Sequence, residues 1–133
     1  MLSENEIVNR FRNRGMTRGA GSLYLEIPIA LDFLATCKAN NLAIIGVEGF
    51  LYHNQKDTIQ PIMDYIEDYS DVEGPNWKAY RNLCNQRCRD FLCHLPSKAG
   101  LVVNFVVISQ AEWQQSALVE IVVSSSARKV VNL

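Results

Sequence analysis

One stretch limits the possible folds more than any other. Trp77, Tyr80, Cys84, Cys88, Phe91 and Leu95 recur every three or four residues, while Lys78, Arg81, Gln86 and Arg89 fall between them. This spacing gives a helix, from about Asn76 to His94, with a single apolar stripe that a second layer must cover. Past the turn LPSKAG stand two Val- and Ile-rich runs, LVVNFVVIS and SALVEIVVS, separated by QAEWQQ. Branched side chains pack well on a pleated surface, so these runs are predicted to be neighbouring antiparallel strands.

The rest of the chain supplies the remaining elements. Ser3 and Glu6 have the spacing of a capping box, which predicts a helix over about Glu4 to Asn13 with Ile7, Val8 and Phe11 on its apolar side. RGMTRGAGS, with its glycines, reads as a mobile loop within an arginine- and glycine-bearing N-terminal extension, residues 1–25. Pro28 suits a first helical turn, and Ile29, Leu31, Phe33, Leu34 and Cys37 carry that helix to the stop at Asn40 and Asn41. LAIIGVEGF is short, apolar and branched, as a buried strand should be, and Gly46 and Gly49 around Glu48 suggest a bulge at its end. Residues 55–75 admit two readings, a short helix after Pro61 or an extended, loop-like cover, and the 3–4 spacing of Ile62, Tyr65, Ile66 and Tyr69 favours the helix. The predicted fold is α+β: a single-layer mixed or antiparallel sheet with helices packed on one face.

A length of 133 residues allows one continuous core but would leave two cores marginal, so residues 1–133 are expected to form one domain. The longest apolar runs fall well short of the roughly 20 residues that a membrane-crossing helix needs. The opening MLSENEIVNRFRNRG has acids and Asn where a secretory signal would be apolar, which predicts a cytoplasmic location. Cys37, Cys84, Cys88 and Cys93 match no common zinc or redox spacing, so reduced, buried thiols are expected. No metal and no cofactor is anticipated.

Net charge is only −1, but the charges are segregated along the chain. Seven acids (Glu48, Asp57, Asp64, Glu67, Asp68, Asp71 and Glu73) stand between Gly46 and Glu73 against Lys56 alone, a local charge of −6. The first twenty residues hold four arginines against two glutamates, and the long helix holds four bases against Asp90, giving +2 and +3. Phe50, Tyr52, Tyr65 and Tyr69 are interleaved with the acids. Aromatic side chains anchor interfaces that charge steers, so the segment fits a basic partner. The competing reading pairs the acids internally with the flanking arginines and places the tyrosines in the core. Nucleic acid is disfavoured as a partner, since the densest charge would repel phosphate.

Sites for chemistry are few. His53 and His94 are the only histidines, and His94 lies where a helix C-terminus favours a cation. His53 with Glu48 or Asp57 would make a small enzyme only if those groups converged in a cleft. The pairs Asp64/Asp68 and Glu67/Asp71 would share helix faces, where like charges usually just tolerate each other in solvent. Sequences of the G-x-S-x-G, H-E-x-x-H, P-loop and G-x-G-x-x-G types are absent. A catalytic role is therefore not expected, and no catalytic residue is assigned.

Residues 30–54, ALDFLATCKANNLAIIGVEGFLYHN, run from a helix with a polar stop directly into an apolar strand ending Gly46-Val47-Glu48-Gly49-Phe50. This passage resembles the opening of immunity proteins that protect bacteria from RNA-cleaving colicins and contact-dependent growth inhibition toxins. The resemblance implies a non-enzymatic inhibitor that binds a basic nuclease domain through acidic residues, and among residues it carries over only Glu48 with its flanking glycines. The N-terminal extension and the second C-terminal strand depart from the pattern. From charge, the expected contact set is Glu48, Phe50, Tyr52, Asp57, Asp64, Glu67, Asp68, Tyr69, Asp71 and Glu73. The third possibility is a structural or regulatory subunit that forms a homo-oligomer; the sequence leaves oligomeric state open.

Overall fold

The structure, a computed structural model, describes residues 1–116. Its elements are α1 (Glu4–Phe11), a 3-10 turn (Arg12–Arg14), β1 (Met16–Arg18), β2 (Ser22–Glu26), α2 (Ile27–Ala39), β3 (Leu42–His53), β4 (Thr58–Asp68), α3 (Trp77–His94) and β5 (Leu101–Ser109). Residues 110–116 are helical. The five strands form one antiparallel sheet in the order β1-β2-β5-β3-β4, with the helices on one face, so the α+β expectation holds and the sheet is antiparallel. No helix among the described residues is long and apolar enough to cross a membrane.

Local signals explain the helices. Ser3 and Glu6 close the capping box of α1, each side chain accepting from the other's backbone N–H. Pro28 lies in the first turn of α2, and the Asn76 side chain caps α3 by accepting from Ala79 N–H. The stripe anticipated on α3 is buried at Trp77, Tyr80, Cys84 and Cys88 and half-buried at Phe91 and Leu95, and Leu92 is buried beside it. These side chains meet Ile44, Val47, Leu25 and Val103 of the sheet and Phe33, Leu34 and Cys37 of α2 in one core. Phe33 stacks on Phe105 at 5.4 Å, which identifies the face carrying Phe105 and its partner Val47 as the covered one.

Two expectations need correction. The stretch RGMTRGAGS, residues 14–22, is not a mobile loop: it holds β1 and the start of β2, which form a hairpin whose turn uses Gly19 (φ 57°) and Gly21 (φ 96°), so the glycines supply turn geometry. The extension also contributes to the core, where Ile7 and Phe11 are buried. Residues 58–68 are a strand, not a helix. Glu48 faces Ile66 and Phe50 faces Pro61, so four β4 residues, 62–65, stand opposite Gly49 alone. That bulge shifts the alternation of side chains and leaves an apparent 3–4 spacing. It also explains the glycine, because a Cβ at Gly49 would stand 2.7 Å from Tyr65 Cβ. The strand expected in SALVEIVVS lies outside the described residues, apart from Ser116, which is helical.

The bulge region of β3 needs a further device. Above Gly46 β3 loses β4 as a neighbour, and Asn85 of α3 takes its place: the side-chain oxygen accepts from Ile44 N–H at 2.9 Å and the amide donates to Leu42 C=O at 3.0 Å. Tyr69 N–H donates to Ile45 C=O at 2.7 Å. Buried backbone groups at the strand end are thereby satisfied, and α3 is fixed in register over β3.

Candidate partner-binding surface

The acids divide into groups with different surroundings. Asp57 lies in the β3–β4 turn with φ 50° and accepts from Arg18 of β1 at 2.5 Å and from the Tyr52 hydroxyl at 2.8 Å. The Arg18 guanidinium lies 5.8 Å from the centre of the Tyr52 ring. The Tyr52 hydrogen bond and the Arg18 charge hold the Asp57 carboxyl below its ordinary range, and the same hydrogen bond raises the Tyr52 phenol. This cluster ties the hairpin tip to the opposite edge strand, so Asp57 and Tyr52 already have partners within the chain.

The other acids remain open. Asp64 is in the bulge, Glu67 and Asp68 lie near the end of edge strand β4, and Asp71 and Glu73 lie in the connector to α3; all are exposed. Ion pairs among the described residues join Arg14 to Asp32 and Arg18 to Asp57, so internal neutralisation reaches only Asp57 of the seven. Asp68 accepts from Ser70 N–H at 2.8 Å, and hydrogen bonds from Ser70 lower its carboxyl pKa. Asp71 and Glu73 border a cavity of about 560 Å³ lined also by Tyr80, Trp113, Ile45 and Ile108. Trp113 packs on Trp77 and Tyr80 at 5.8 and 5.5 Å, so the connector adjoins an aromatic cluster.

Glu48 occupies a different place. Successive strand residues point to opposite faces, so with Val47 and Phe105 turned to the helices, Glu48 and its neighbour Asn104 point to the uncovered face. It is exposed in the central part of the sheet, not at a rim. Phe50 shares that face and meets Tyr24 edge-on at 5.1 Å. Tyr69 does not belong to the set: it is 4 % exposed, packs in the core, and burial drives its phenol pKa upward. Its inclusion among contact residues is therefore corrected.

The catalytic alternative does not find its geometry. His53 Nε2 meets Gln60 Oε1 at 2.9 Å, Asp57 is engaged by Tyr52 and Arg18, and Glu48 lies five residues up the strand, about 16 Å away along the chain. His94 Nδ1 lies 2.6 Å from Asp90 C=O, within the last turn of α3. Cys37, Cys84 and Cys88 are buried and free, with burial pushing Cys37 up to about 12, whereas Cys93 is exposed.

Sequence reasoning overlooked Tyr24, Met63, Ile66 and Val106, the last three 76, 42 and 52 % exposed. Ile66 and Val106 follow from strand alternation once β4 is read as a strand in the right register. Tyr24 carries no such signal, because the glycines before it mark a hairpin turn and a flexible loop alike. The chain matches no protein-family model, no curated protein and no solved structure.

Proposed function

We propose that this chain is an immunity protein, a non-catalytic inhibitor that binds and occludes a basic, nuclease-type bacterial toxin domain in the cytoplasm. The observation supporting this reading most is the arrangement of the acids: six of the seven between residues 48 and 73 are exposed without an ion pair among the described residues. An unneutralised acidic edge attracts a basic partner over distance and accelerates encounter. It repels nucleic acid, which leaves a basic protein as the natural occupant. The edge is also guarded against strand addition by Pro61, the bulge at 62–65 and its own charges, so recognition there works through side chains.

The test uses the C-terminal domain of whatever secreted protein the adjacent upstream gene encodes. A variant carrying Asp64→Lys, Glu67→Lys and Asp71→Lys is expected to stay folded by circular dichroism. Its association with that domain should slow by about 10- to 100-fold, with the deficit shrinking as salt rises. Asp68 is left intact because it holds Ser70 N–H. An affinity equal to that of the parent chain in calorimetry overturns the reading.

A further inference from the structure

The acidic edge accounts for attraction, and holding a partner also requires apolar area. That area lies on the uncovered face of the sheet. Register places Val106, Gly46 and Asp68 in one row across β5, β3 and β4, and Asn104, Glu48 and Ile66 in the next. A third row runs Glu26, Val102, Phe50 and Pro61. The Tyr24–Phe50 pair closes over this row, and Val102, which belongs to the outer face and not to the main core, is only 3 % exposed. Beside this aromatic island, Ile66 and Val106 are left in solvent.

Glu48 stands at the middle of this pattern. Its cross-strand neighbours are Asn104 and Ile66, its neighbours along β3 on the same face are Gly46 and Phe50, and no cation pairs with it among the described residues. β2 joins β5 only through Leu25 and Glu26, and Arg18 of β1 reaches Asp57 in the β3–β4 turn, so the hairpin curls toward this face and its open part is the strip formed by β5, β3 and β4.

We propose that the uncovered sheet face is the docking surface for a partner protein that inserts a basic side chain at Glu48 between apolar contacts to Phe50, Ile66 and Val106. Charge decides the occupant. Glu26, Glu48 and Asp68 lie on this face, and Arg18, the cation that strand register places there among the described residues, is already held by Asp57. A second copy of the chain would bring those carboxylates against their own images, whereas a basic protein would neutralise them. A central charge ringed by apolar groups gains strength as water is excluded, which is the arrangement of an interface hot spot. This inference rests on the immunity reading for the partner's identity, and it assigns the holding contact to the open face and the steering role to the β4 edge.

Site-specific photocrosslinking tests it, in the cells that naturally make the chain. A benzophenone amino acid replaces Ile66 or Val106 on the open face, Leu83 on the exposed side of α3, or Asp71 in the connector. Expected are adducts with one basic protein from positions 66 and 106, none from 83, and at least a tenfold loss of those adducts on adding Glu48→Lys, with folding checked by circular dichroism. Glu48→Gln, which keeps the shape, should give an intermediate loss. Adducts from position 71 alone overturn this inference while leaving the immunity reading standing. Adducts of the chain with itself, adducts that survive Glu48→Lys, or no adduct at positions 66 and 106 also overturn it. A basic partner without a nuclease domain, captured in the expected pattern, supports the surface and removes the toxin.

Discussion

The two faces of the sheet are built from similar side chains and put to opposite uses. On the covered face, Leu25, Ile44, Val47 and Val103 meet α2 and α3, and even the buried polar group, Asn85, is fully engaged with backbone. On the open face, Phe50, Tyr24, Ile66 and Val106 surround carboxylates that have no helix above them among the described residues. The covered face shows how apolar surface and satisfied polar groups produce stability. The open face shows apolar surface without a cover among the described residues, beside charge that no described cation compensates. Surface of that kind is characteristic of binding sites.

This contrast predicts unequal costs for substitutions. Asn85→Leu removes the partner of Ile44 N–H and one donor to Leu42 C=O in a buried position, and should lower stability by about 3 kcal/mol in urea denaturation. A loss below about 1 kcal/mol would mean that α3 is not held on β3 by this bridge. Phe50→Ala removes a half-buried ring and its edge contact to Tyr24, and should cost about 1.5 kcal/mol by the same measurement. A cost matching that of Asn85→Leu would make the open face a second core, and the distinction between the faces would fail.

The smallest effect concerns the hairpin tip. Asp57 has a carboxyl pKa depressed below 3.8 by Tyr52 and Arg18, so whatever stability it contributes is present above that pH and is lost as pH falls through its lower folded value. The tip should therefore stay closed through pH 4 and loosen under stronger acid. Asp57→Asn should remove that acid-side change and return the Tyr52 phenol toward 10.0, readable by ultraviolet difference titration. An unmoved Tyr52 titration would show that the two side chains do not bond in solution.

Some of this organisation was legible from residues alone because its physics is local. A capping box, a proline in a first turn and a 3–4 stripe each act within a few residues, so α1, α2 and α3 lie within a few residues of their expected positions. The placement of β3 and β5 also followed from short apolar runs. β4 does not read as a strand because the bulge opposite Gly49 breaks the alternation that marks one, and the close approach of Tyr65 to Gly49 exists only after β3 and β4 pair. The β1–β2 hairpin was missed because glycines mark a tight turn and a flexible loop alike.

The candidate surface divides in the same way. Sequence determined that the acids cluster, that aromatics lie among them and that Glu48 sits between glycines near a strand. Tertiary structure decided that Tyr69 is interior, that Asp57 is neutralised by Arg18 thirty-nine residues away in sequence, and that Glu48 stands mid-sheet on the open face. The physical reason is that charge and propensity belong to a residue and its immediate neighbours. Which face a strand residue shows, and which ion it meets, depend on register between segments distant in the chain, and a register shift of one residue reverses the face.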